Sequence, residues 1–502
     1  MRPIDHLYRR RQRTADAIAI AGPGQPLSYA ELVTAVDALA TALQVLEPSP
    51  GSRVGICARN TVEHLLALLA TYAAGKVWVP LNPTNSRADL DRMIAVTRPS
   101  VIVADAFALD RFSHGDLPLI IAQEDAERGS GVPSVRGLIA DYAGQRPSVI
   151  DRTDDDAQII KFSGGSTGAP KPVVQSVRCV NAQVDGILTC FELDATDVNL
   201  IAAPLTHGAS CFVLPVLAVG GRHALVDDPK PPRVLDAIEA YGVTTMYAPP
   251  TLIYGMLGDP SAPTRNYASL RHLIYSAAPM RADRIREAQR VFGPVVETAY
   301  GQVEAPQIVT AMRAHELLDE ENLGSIGRPS PVAQVAIVDS MGTSLPNGEV
   351  GEIAVRGPLV MSGYLDRPEM TADAIVDGWL RTGDLGSIDA RGYVYIRGRL
   401  REVINSGGFK VFPGDVEAVL VQHPAVAECS VFGLPDDRWG EAVHAAVKLT
   451  PGVLINAAEL IAFAKAELGS VKAPKAIHFV TELPRNAAGK VSRADVRAMV
   501  AS

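Results

Sequence analysis

The 502-residue sequence contains few cysteines, and none of them are clustered. The five cysteines are an odd number, lie far apart and include no C-x-x-C pair. Disulfide-stapled secreted domains and zinc sites both need closely spaced cysteines, so neither is predicted. A reduced cytoplasmic location is therefore expected.

Long apolar runs and an excess of basic residues are also missing. The longest apolar stretch, about residues 65–81, is interrupted by Gly75 and Lys76, and predicts a buried helix over 62–74 and a strand over 77–79. No apolar leader is visible near the N-terminus, so no membrane span or targeting segment is expected. The formal net charge of -9 gives no general attraction to nucleic acid or to an anionic membrane.

Helical and strand patterns alternate in two successive parts of the chain. A capping box at Ser28 to Glu31 predicts the start of a helix, and the largely apolar runs 53–57 and 100–104 predict strands. The same rhythm returns after residue 160. We therefore predict two layered α/β subdomains, about 1–160 and 161–324, each with helices covering a mostly parallel sheet.

The pattern changes twice towards the C-terminus. Short β runs split by turns over 325–398 predict a small β-barrel or a distorted sheet. A new domain begins near Arg399. The predicted organisation is an N-terminal domain, 1–398, and a small mobile α+β lid domain, 399–502.

A glycine- and hydroxyl-rich segment over residues 163–171 follows a short strand pattern and ends in Lys171. Glycines let backbone N–H groups approach phosphate oxygens, while hydroxyls and a lysine add donors and one positive charge. The segment is not a Walker A motif, because Pro172 follows the lysine and no glycine-lysine pair has the required spacing. We predict a rigid strand-to-loop phosphate site.

Two other interpretations of this segment exist. Residues 164–168 fit the G-x-S-x-G elbow of hydrolases, but an elbow opens into a helix, and Pro170 and Pro172 disfavour a helix there. An ordinary surface loop is the second alternative.

Four further motifs follow this loop in the chain. They are Ala299-Tyr300-Gly301-Gln302-Val303-Glu304, the segment 360–386 that ends in Arg-Thr-Gly-Asp-Leu-Gly, Gly398-Arg399, and Pro484-Arg485-Asn486-Ala487-Ala488-Gly489-Lys490. Together they resemble the adenylate-forming superfamily of acyl-CoA and aryl-CoA synthetases, adenylation domains and luciferases. The resemblance covers nearly the whole chain, in the order of that family.

The resemblance implies an ATP- and Mg²⁺-dependent ligase that joins a small carboxylic acid to coenzyme A through an acyl-adenylate. A carrier-protein phosphopantetheine in place of free CoA is the main alternative, and a non-catalytic adenylate- or acyl-binding protein is the second. Monomer and homodimer are both compatible with the sequence, and the identity of the acid is not readable.

The resemblance also assigns roles to residues. The implied catalytic residues are Thr167, His207, Glu304 and Lys490, with Glu304 as the Mg²⁺ carboxylate. ATP and AMP contacts are implied for Ser163, Gly165, Ser166, Thr167, Gly168, Lys171, Ser276, Ala277, Ala278, Pro279, Tyr300, Gly301, Asp384 and Arg399. The implied acyl pocket comprises His207, Tyr247, Ala278 and Gly301, the CoA tunnel comprises Ser406, Gly407, Gly408 and Phe409, and the hinge is Glu402.

Physical chemistry supports several of these roles. A lysine in a glycine-containing loop can neutralise charge on a departing pyrophosphate, and a hard carboxylate suits Mg²⁺. Ordinary explanations also exist, namely a solvated Lys490, core packing for Tyr300 and a hydrogen-bonded core histidine for His207. No charged residue occurs in the implied acyl pocket, which favours an apolar acyl or aryl acid.

The sequence departs from the family pattern at four positions. Gly164 replaces a hydroxyl residue of the phosphate loop and Pro172 replaces its closing glycine. Val303 replaces a threonine, and Glu402 replaces the hinge aspartate. The segment around His207 lacks the acidic residue that anchors an amino group in amino-acid-activating relatives, so an amino-acid substrate is disfavoured.

Overall fold

A computed structural model of the chain describes residues 1–22, 24–109, 111–112, 119–122, 132–163, 170–226, 228–485 and 491–501. Its helices are α1 Asp5–Arg11, α2 Tyr29–Leu46, α3 Val62–Ala73, α4 Arg87–Thr97, α5 Ala106–Leu109, α6 Val135–Asp141, α7 Val177–Phe191, α8 Val213–Val219, α9 Pro231–Tyr241, α10 Pro250–Leu257, α11 Ala282–Phe292, α12 Pro368–Ala374, α13 Pro413–Leu420, α14 Ala457–Lys472 and α15 Arg493–Ala501.

Strands alternate with these helices. The first thirteen are β1 Ile18–Ala21, β2 Leu27–Ser28, β3 Arg53–Cys57, β4 Val77–Leu81, β5 Val101–Ala104, β6 Leu119–Ala122, β7 Ala157–Ser163, β8 Lys171–Ser176, β9 Val198–Ile201, β10 Arg222–Leu225, β11 Thr245–Ala248, β12 His272–Tyr275 and β13 Val296–Tyr300. The others are β14 Thr310–Met312, β15 Arg328–Pro329, β16 Gln334–Val338, β17 Gly351–Arg356, β18 Gly363–Tyr364, β19 Ile375–Val376, β20 Trp379–Ile388, β21 Val394–Arg399, β22 Ile404–Ser406, β23 Phe409–Val411, β24 Val426–Asp436, β25 Gly440–Leu449 and β26 Ala476–Phe479.

The described chain forms two compact units. The larger contains the described residues within 1–335 and 355–380, and the smaller contains 336–354 and the described residues from 381 onward. Each has its own hydrophobic core, which in the smaller unit includes Val411, Leu420, Val443 and Leu460. The predicted mixed α/β fold with helices against sheets is confirmed.

Two large sheets build the larger unit. One has seven strands in the order β18-β8-β7-β4-β3-β5-β6, and its strands from β7 to β6 are parallel. The other has nine in the order β15-β14-β13-β12-β11-β9-β10-β1-β2, parallel from β13 to β1. The sheets interleave along the chain, because β1 and β2 join the later sheet while β18 joins the earlier one.

The local signals in the sequence explain where helices begin. The hydroxyl of Ser28 accepts a hydrogen bond from the Glu31 backbone N–H, and the Glu31 carboxylate accepts one in return from the Ser28 N–H. Helix α2, which this capping box opens, is long and apolar enough to cross a membrane by length and composition alone. More than half of it is buried in the larger unit, the pattern of a core helix.

A smaller five-stranded sheet is formed in the region whose short β runs predicted a small β-barrel or a distorted sheet. Its order is β16-β17-β20-β19, with β21 also paired with β20. Since β16 and β19 stand at opposite ends of this order, the described strands form an open sheet. A second five-stranded sheet, β23-β22-β25-β24 with β26 on β25, belongs to the smaller unit.

Candidate functional site

The predicted phosphate loop joins two antiparallel strands. Strand β7 ends at Ser163, which pairs directly with Lys171 at the start of β8. The predicted loop residues Gly165, Ser166, Thr167 and Gly168, and the substituted Gly164, lie outside the described residues. After Pro170 the chain continues as strand β8 and not as the helix that a hydrolase elbow requires.

The predicted adenine and acyl residues meet at one edge of the nine-stranded sheet. Strands β9, β11, β12 and β13 are neighbours and parallel, so their carboxyl ends lie side by side. Those ends carry the segment 202–207, Tyr247, the segment 276–279 and Tyr300 with Gly301. Open α/β sheets bind ligands at this edge. We call it the carboxyl edge.

Backbone geometry at the carboxyl edge is unusual at two places. Ala277 has φ +76°, a left-handed conformation that costs a non-glycine residue about 1–2 kcal/mol. A Cβ at Gly301 would lie 2.3 Å from the backbone nitrogen of Gln307, which itself has φ +63°. Gly301 is therefore required by close backbone packing, and strain of this kind is commonly kept at functional sites.

Glu304 lies beside the phosphate-loop hairpin. The Tyr364 hydroxyl donates to Glu304 Oε1 at 3.1 Å, and the Met361 N–H donates to the Glu304 carbonyl at 2.8 Å. The ring of the same tyrosine lies under the ammonium group of Lys171, 5.3 Å from Nζ to the ring centroid. Tyr364 therefore contacts both the predicted Mg²⁺ carboxylate and the predicted phosphate-binding lysine.

A second contact joins the same two regions. The side-chain amide of Gln175, on β8, donates to the carbonyl oxygen of Val303 at 2.8 Å. Gln175 is almost completely buried, so this hydrogen bond is shielded from water. The hairpin and the Tyr300–Glu304 segment are thus linked at two points, directly through Gln175 and indirectly through Tyr364.

Glu304 suits the magnesium ion that the family implies. Among the described residues, no three His, Cys, Asp or Glu side chains are grouped so that they could hold a metal by themselves. Mg²⁺ in phosphate-transfer sites is usually held by one or two carboxylates, with substrate phosphates and waters completing the shell. A single carboxylate next to a phosphate loop fits that arrangement.

His207 begins a tight turn over residues 207–212, which we call the His207 turn. His207 Nδ1 and the Thr206 hydroxyl are hydrogen-bonded at 2.9 Å, which orients the imidazole. A Cβ at Gly208 would lie 2.4 Å from the Tyr247 hydroxyl oxygen, so the turn packs directly against this tyrosine. Burial raises the pKa of the Tyr247 phenol, and its ring stacks on Phe212 with centroids 5.7 Å apart.

The smaller unit brings together Asp384, predicted to contact ribose, and Arg399, predicted to contact ribose or phosphate. Arg399 Nε donates to Asp384 Oδ1 at 2.7 Å, and the Asp384 side chain is only 5% exposed. The hydroxyl of Thr382 accepts from the Asp384 N–H at 3.1 Å and donates to the carbonyl of Ile353 at 2.6 Å. The backbone N–H of Asp384 is thus linked through Thr382 to β17, and Arg399 orients the carboxylate.

The predicted tunnel residues form a tight β-hairpin in the smaller unit. Ser406 pairs with Phe409, and Gly407 and Gly408 between them have φ +59° and +84°. Two central residues with positive φ are typical of a type I′ turn. Ser406 is buried, whereas Phe409 is 60% exposed.

The predicted hinge residue Glu402 belongs to the smaller unit. The guanidinium of Arg493 donates to Glu402 and also to Glu417, the latter at 2.8 Å. Lys490 lies outside the described residues, but Arg485 and Val491 on either side form an antiparallel bridge.

The sequence motifs did not indicate that Lys161 and Tyr364 would contact the predicted site residues His207 and Glu304. Lys161 interrupts an apolar strand, and Tyr364 is part of the quoted motif over 360–386. The available signal for Lys161 was a lysine inside a strand predicted to be buried. Nothing in the sequence indicated which residues Tyr364 would contact.

Comparisons with known proteins identify the family of the chain. The model of the AMP-binding enzyme family matches residues 7–365, and that of the AMP-binding enzyme C-terminal domain matches 415–490. The medium/long-chain-fatty-acid–CoA ligase FadD8 of Mycobacterium tuberculosis is 34% identical over 489 residues, 94% of this chain and 85% of FadD8. A feruloyl-CoA synthase of Amycolatopsis sp. is 34% identical, covering 97% of both chains.

Solved structures are similar over the whole chain. The amide bond synthetase McbA from Marinactinospora thermotolerans superposes with a TM-score of 0.90 at 30% identity, covering 99% of each chain. ATP-bound MatB from Rhodopseudomonas palustris gives 0.89 at 29% identity, covering 99% of this chain and 98% of MatB. The chain therefore belongs to the AMP-binding enzyme family, the adenylate-forming superfamily.

Proposed function

We propose that the chain is an ATP- and Mg²⁺-dependent carboxylate–CoA ligase that works through an acyl-adenylate. The observation that carries this proposal is the contact of Tyr364 with both Lys171 and Glu304, because it links the lysine predicted to bind phosphate to the carboxylate predicted to bind Mg²⁺. The relatives named as fatty-acid and feruloyl ligases support the same chemistry.

The first half-reaction joins the acid to ATP. A carboxylate oxygen of the acid attacks the α-phosphorus, the bond to the β-phosphate oxygen breaks, and pyrophosphate leaves. Mg²⁺, which Glu304 would hold, would neutralise phosphate charge there. Lys171 and the loop before it hold the phosphates, Glu304 provides the metal carboxylate, and Lys490 neutralises charge on the departing pyrophosphate.

Other residues hold the nucleotide and the acid. Asp384 accepts hydrogen bonds from the ribose hydroxyls, and Arg399, whose Nε donates to this carboxylate, orients it. Tyr300 and the segment 276–279 border adenine, and His207 borders the carboxylate of the acid.

The second half-reaction uses the C-terminal part of the chain, from about residue 399. The CoA sulfur attacks the carbonyl carbon of the adenylate, and AMP leaves. We place the hinge for a domain rotation at Glu402 and the path of the thiol at the Ser406–Phe409 hairpin. The rotation exchanges the Lys490 segment for this hairpin at the active site.

An apolar acyl or aryl acid fits the carboxyl edge. The residues proposed to line the acyl pocket, His207, Tyr247, Ala278 and Gly301, include no Asp, Glu, Lys or Arg, and the ring of Tyr247 stacks on Phe212. All five cysteines are free, which suits a reducing cytoplasm.

An acid panel with several acceptors tests the proposal. Purified protein is incubated with ATP, Mg²⁺ and one acid from a set of fatty, cinnamic, arylacetic and dicarboxylic acids, and pyrophosphate release is measured. CoA, a phosphopantetheinylated carrier protein and a simple amine are then supplied separately. Release of AMP with a thioester of CoA is expected for apolar acids. Transfer to the carrier protein or the amine alone would contradict the assignment of CoA as acceptor.

The thiol path is tested at Gly408. A Cβ there meets no atom within 4 Å, so Gly408→Leu adds bulk beside the hairpin at the cost of left-handed strain. The variant should form thioester at least tenfold more slowly and adenylate at a nearly normal rate. Gly452→Leu is the matched control, since Gly452 has φ +78° and equal space in a different turn. Equal loss of both half-reactions in Gly408→Leu alone would contradict a thiol path at this hairpin.

A further inference from the structure

Lys161 is a buried cation that the proposed mechanism does not use. It lies in β7 between Ile160 and Phe162, and only 8% of its surface is exposed. Within the described part of the chain no carboxylate forms an ion pair with it. Burial lowers the pKa of the Lys161 ammonium, so retaining a lysine here has a cost in folding free energy that an apolar residue would avoid.

The ammonium group has defined partners on another element. Nζ donates to the carbonyl oxygen of His207 at 3.2 Å and to the hydroxyl of Ser210 at 3.0 Å. The Ser210 hydroxyl donates in turn to the same His207 carbonyl at 2.9 Å. These three groups form a closed triangle of hydrogen bonds at the start of the His207 turn. Nζ also lies 5.3 Å from the centroid of the Trp78 ring, a cation–π contact.

The opposite side of the His207 turn is fixed by a different contact. Gly208 packs against the Tyr247 hydroxyl so closely that a Cβ would lie 2.4 Å away. The turn is therefore held between Lys161, from the seven-stranded sheet, and Tyr247, from the nine-stranded sheet. Removing the lysine would free one side only.

Lys161 also connects two parts of the proposed site. It precedes Ser163 by two residues on the strand that leads into the phosphate loop, and its side chain ends on the backbone of the residue proposed to border the acid. A shift of the His207 carbonyl would move the imidazole relative to the phosphate hairpin. Displacements near 1 Å at a reacting centre can cost about a hundredfold in rate.

We propose that Lys161 is a positioning residue for the carboxylic acid, acting through the His207 carbonyl and the Ser210 hydroxyl to fix the His207 turn relative to the phosphate-loop hairpin. This inference rests on the proposed function for its catalytic consequence. Its structural part, the fixing of the turn, can be measured without any activity.

The test compares two buried lysines. Lys161→Met keeps length and apolar volume but removes the ammonium. Lys76→Met is the matched control, because Lys76 is 1% exposed and its ammonium also donates to backbone carbonyls, of Glu47 and Ser49, and to a serine hydroxyl, of Ser52. Lys76 lies in no part of the proposed site. Both variants should lower the melting temperature.

Of the two lysine variants, only Lys161→Met should change the KM for the carboxylic acid. We expect its KM for the acid in pyrophosphate exchange to rise at least tenfold, with the KM for ATP within twofold of wild type. Ser210→Ala should give a smaller effect in the same direction, and adding it to Lys161→Met should cause little further loss, because both act through one triangle. Parallel increases in the two KM values, or an unchanged KM for the acid, would overturn the proposal.

Hydrogen exchange followed by mass spectrometry supplies the readout that needs no activity. Peptides covering 204–213 should exchange faster in Lys161→Met than in wild type or Lys76→Met. If wild type released no pyrophosphate with any acid, the proposed function would fail, and this exchange comparison would still decide the role of Lys161. Unchanged exchange there would refute it. If Lys161→Met did not fold, the same measurements on Ser210→Ala would decide the question.

Discussion

Replacing Tyr364 by phenylalanine tests the contact on which the proposed function rests. Tyr364→Phe removes the hydroxyl that donates to Glu304 and leaves the ring beside Lys171. A hydrogen bond to a charged group contributes about 1.5–3 kcal/mol. Glu304 is partly exposed, so water replaces part of the lost bond and the lower figure applies. About 1.4 kcal/mol corresponds to a tenfold loss in rate.

The loss should show as a changed dependence on magnesium. With Glu304 less well oriented, kcat/KM for ATP in pyrophosphate exchange should fall about tenfold, and half-maximal rate should need more Mg²⁺. Tyr267→Phe is the control, because Tyr267 is equally buried at 9% exposure and its hydroxyl donates to the Ala262 carbonyl, away from the carboxyl edge. Tyr364→Leu should lose more than Tyr364→Phe, since the cation–π contact is removed as well.

One result would refute this reasoning. If Tyr364→Phe and Tyr267→Phe had the same magnesium dependence as wild type, the hydroxyl would have no role in orienting Glu304. The contact would then be a packing feature, and the proposed metal carboxylate would lose its structural support.

Three more predictions concern other parts of the chain. Gly301→Ala should lower the melting temperature and slow pyrophosphate exchange at least tenfold, because its Cβ would collide with the Gln307 backbone. Gly324→Ala should do neither, because a Cβ at Gly324 would meet no atom within 4 Å. Lys490→Ala should reduce pyrophosphate exchange a hundredfold or more, about 3 kcal/mol, while supplied acyl-adenylate is still converted to thioester; equal loss of both steps would contradict a lysine specific to adenylation. Acidification should destabilise the protein between pH 6.5 and 4, because burial lowers the pKa of both His64 and His223 to about 4, so the unfolded chain binds more protons in that window. At pH 5 the loss should be roughly 2 kcal/mol per histidine, and equal urea stability at pH 7 and pH 5 would contradict it.

The sequence by itself determined the family, the chemistry and most local elements. Five motifs in order predicted an adenylate-forming enzyme, and the family models confirm that prediction. Capping placed the start of helix α2, and periodicity placed strand β3, where the structure has them, because these signals are local. The roles of individual site residues, the lid boundary near 399 and the hinge at Glu402 stay predictions.

Contacts between distant residues were decided only by the tertiary structure. Periodicity indicates that β1 is a strand, but not that it pairs with β10 about 200 residues later. It marks Lys161 as an exception in an apolar strand without naming its partners His207 and Ser210. Strand pairing and buried hydrogen bonds depend on which surfaces meet when the two sheets pack. One-dimensional patterns give the type of each element, whereas the free energy of burying and satisfying polar groups selects its neighbours.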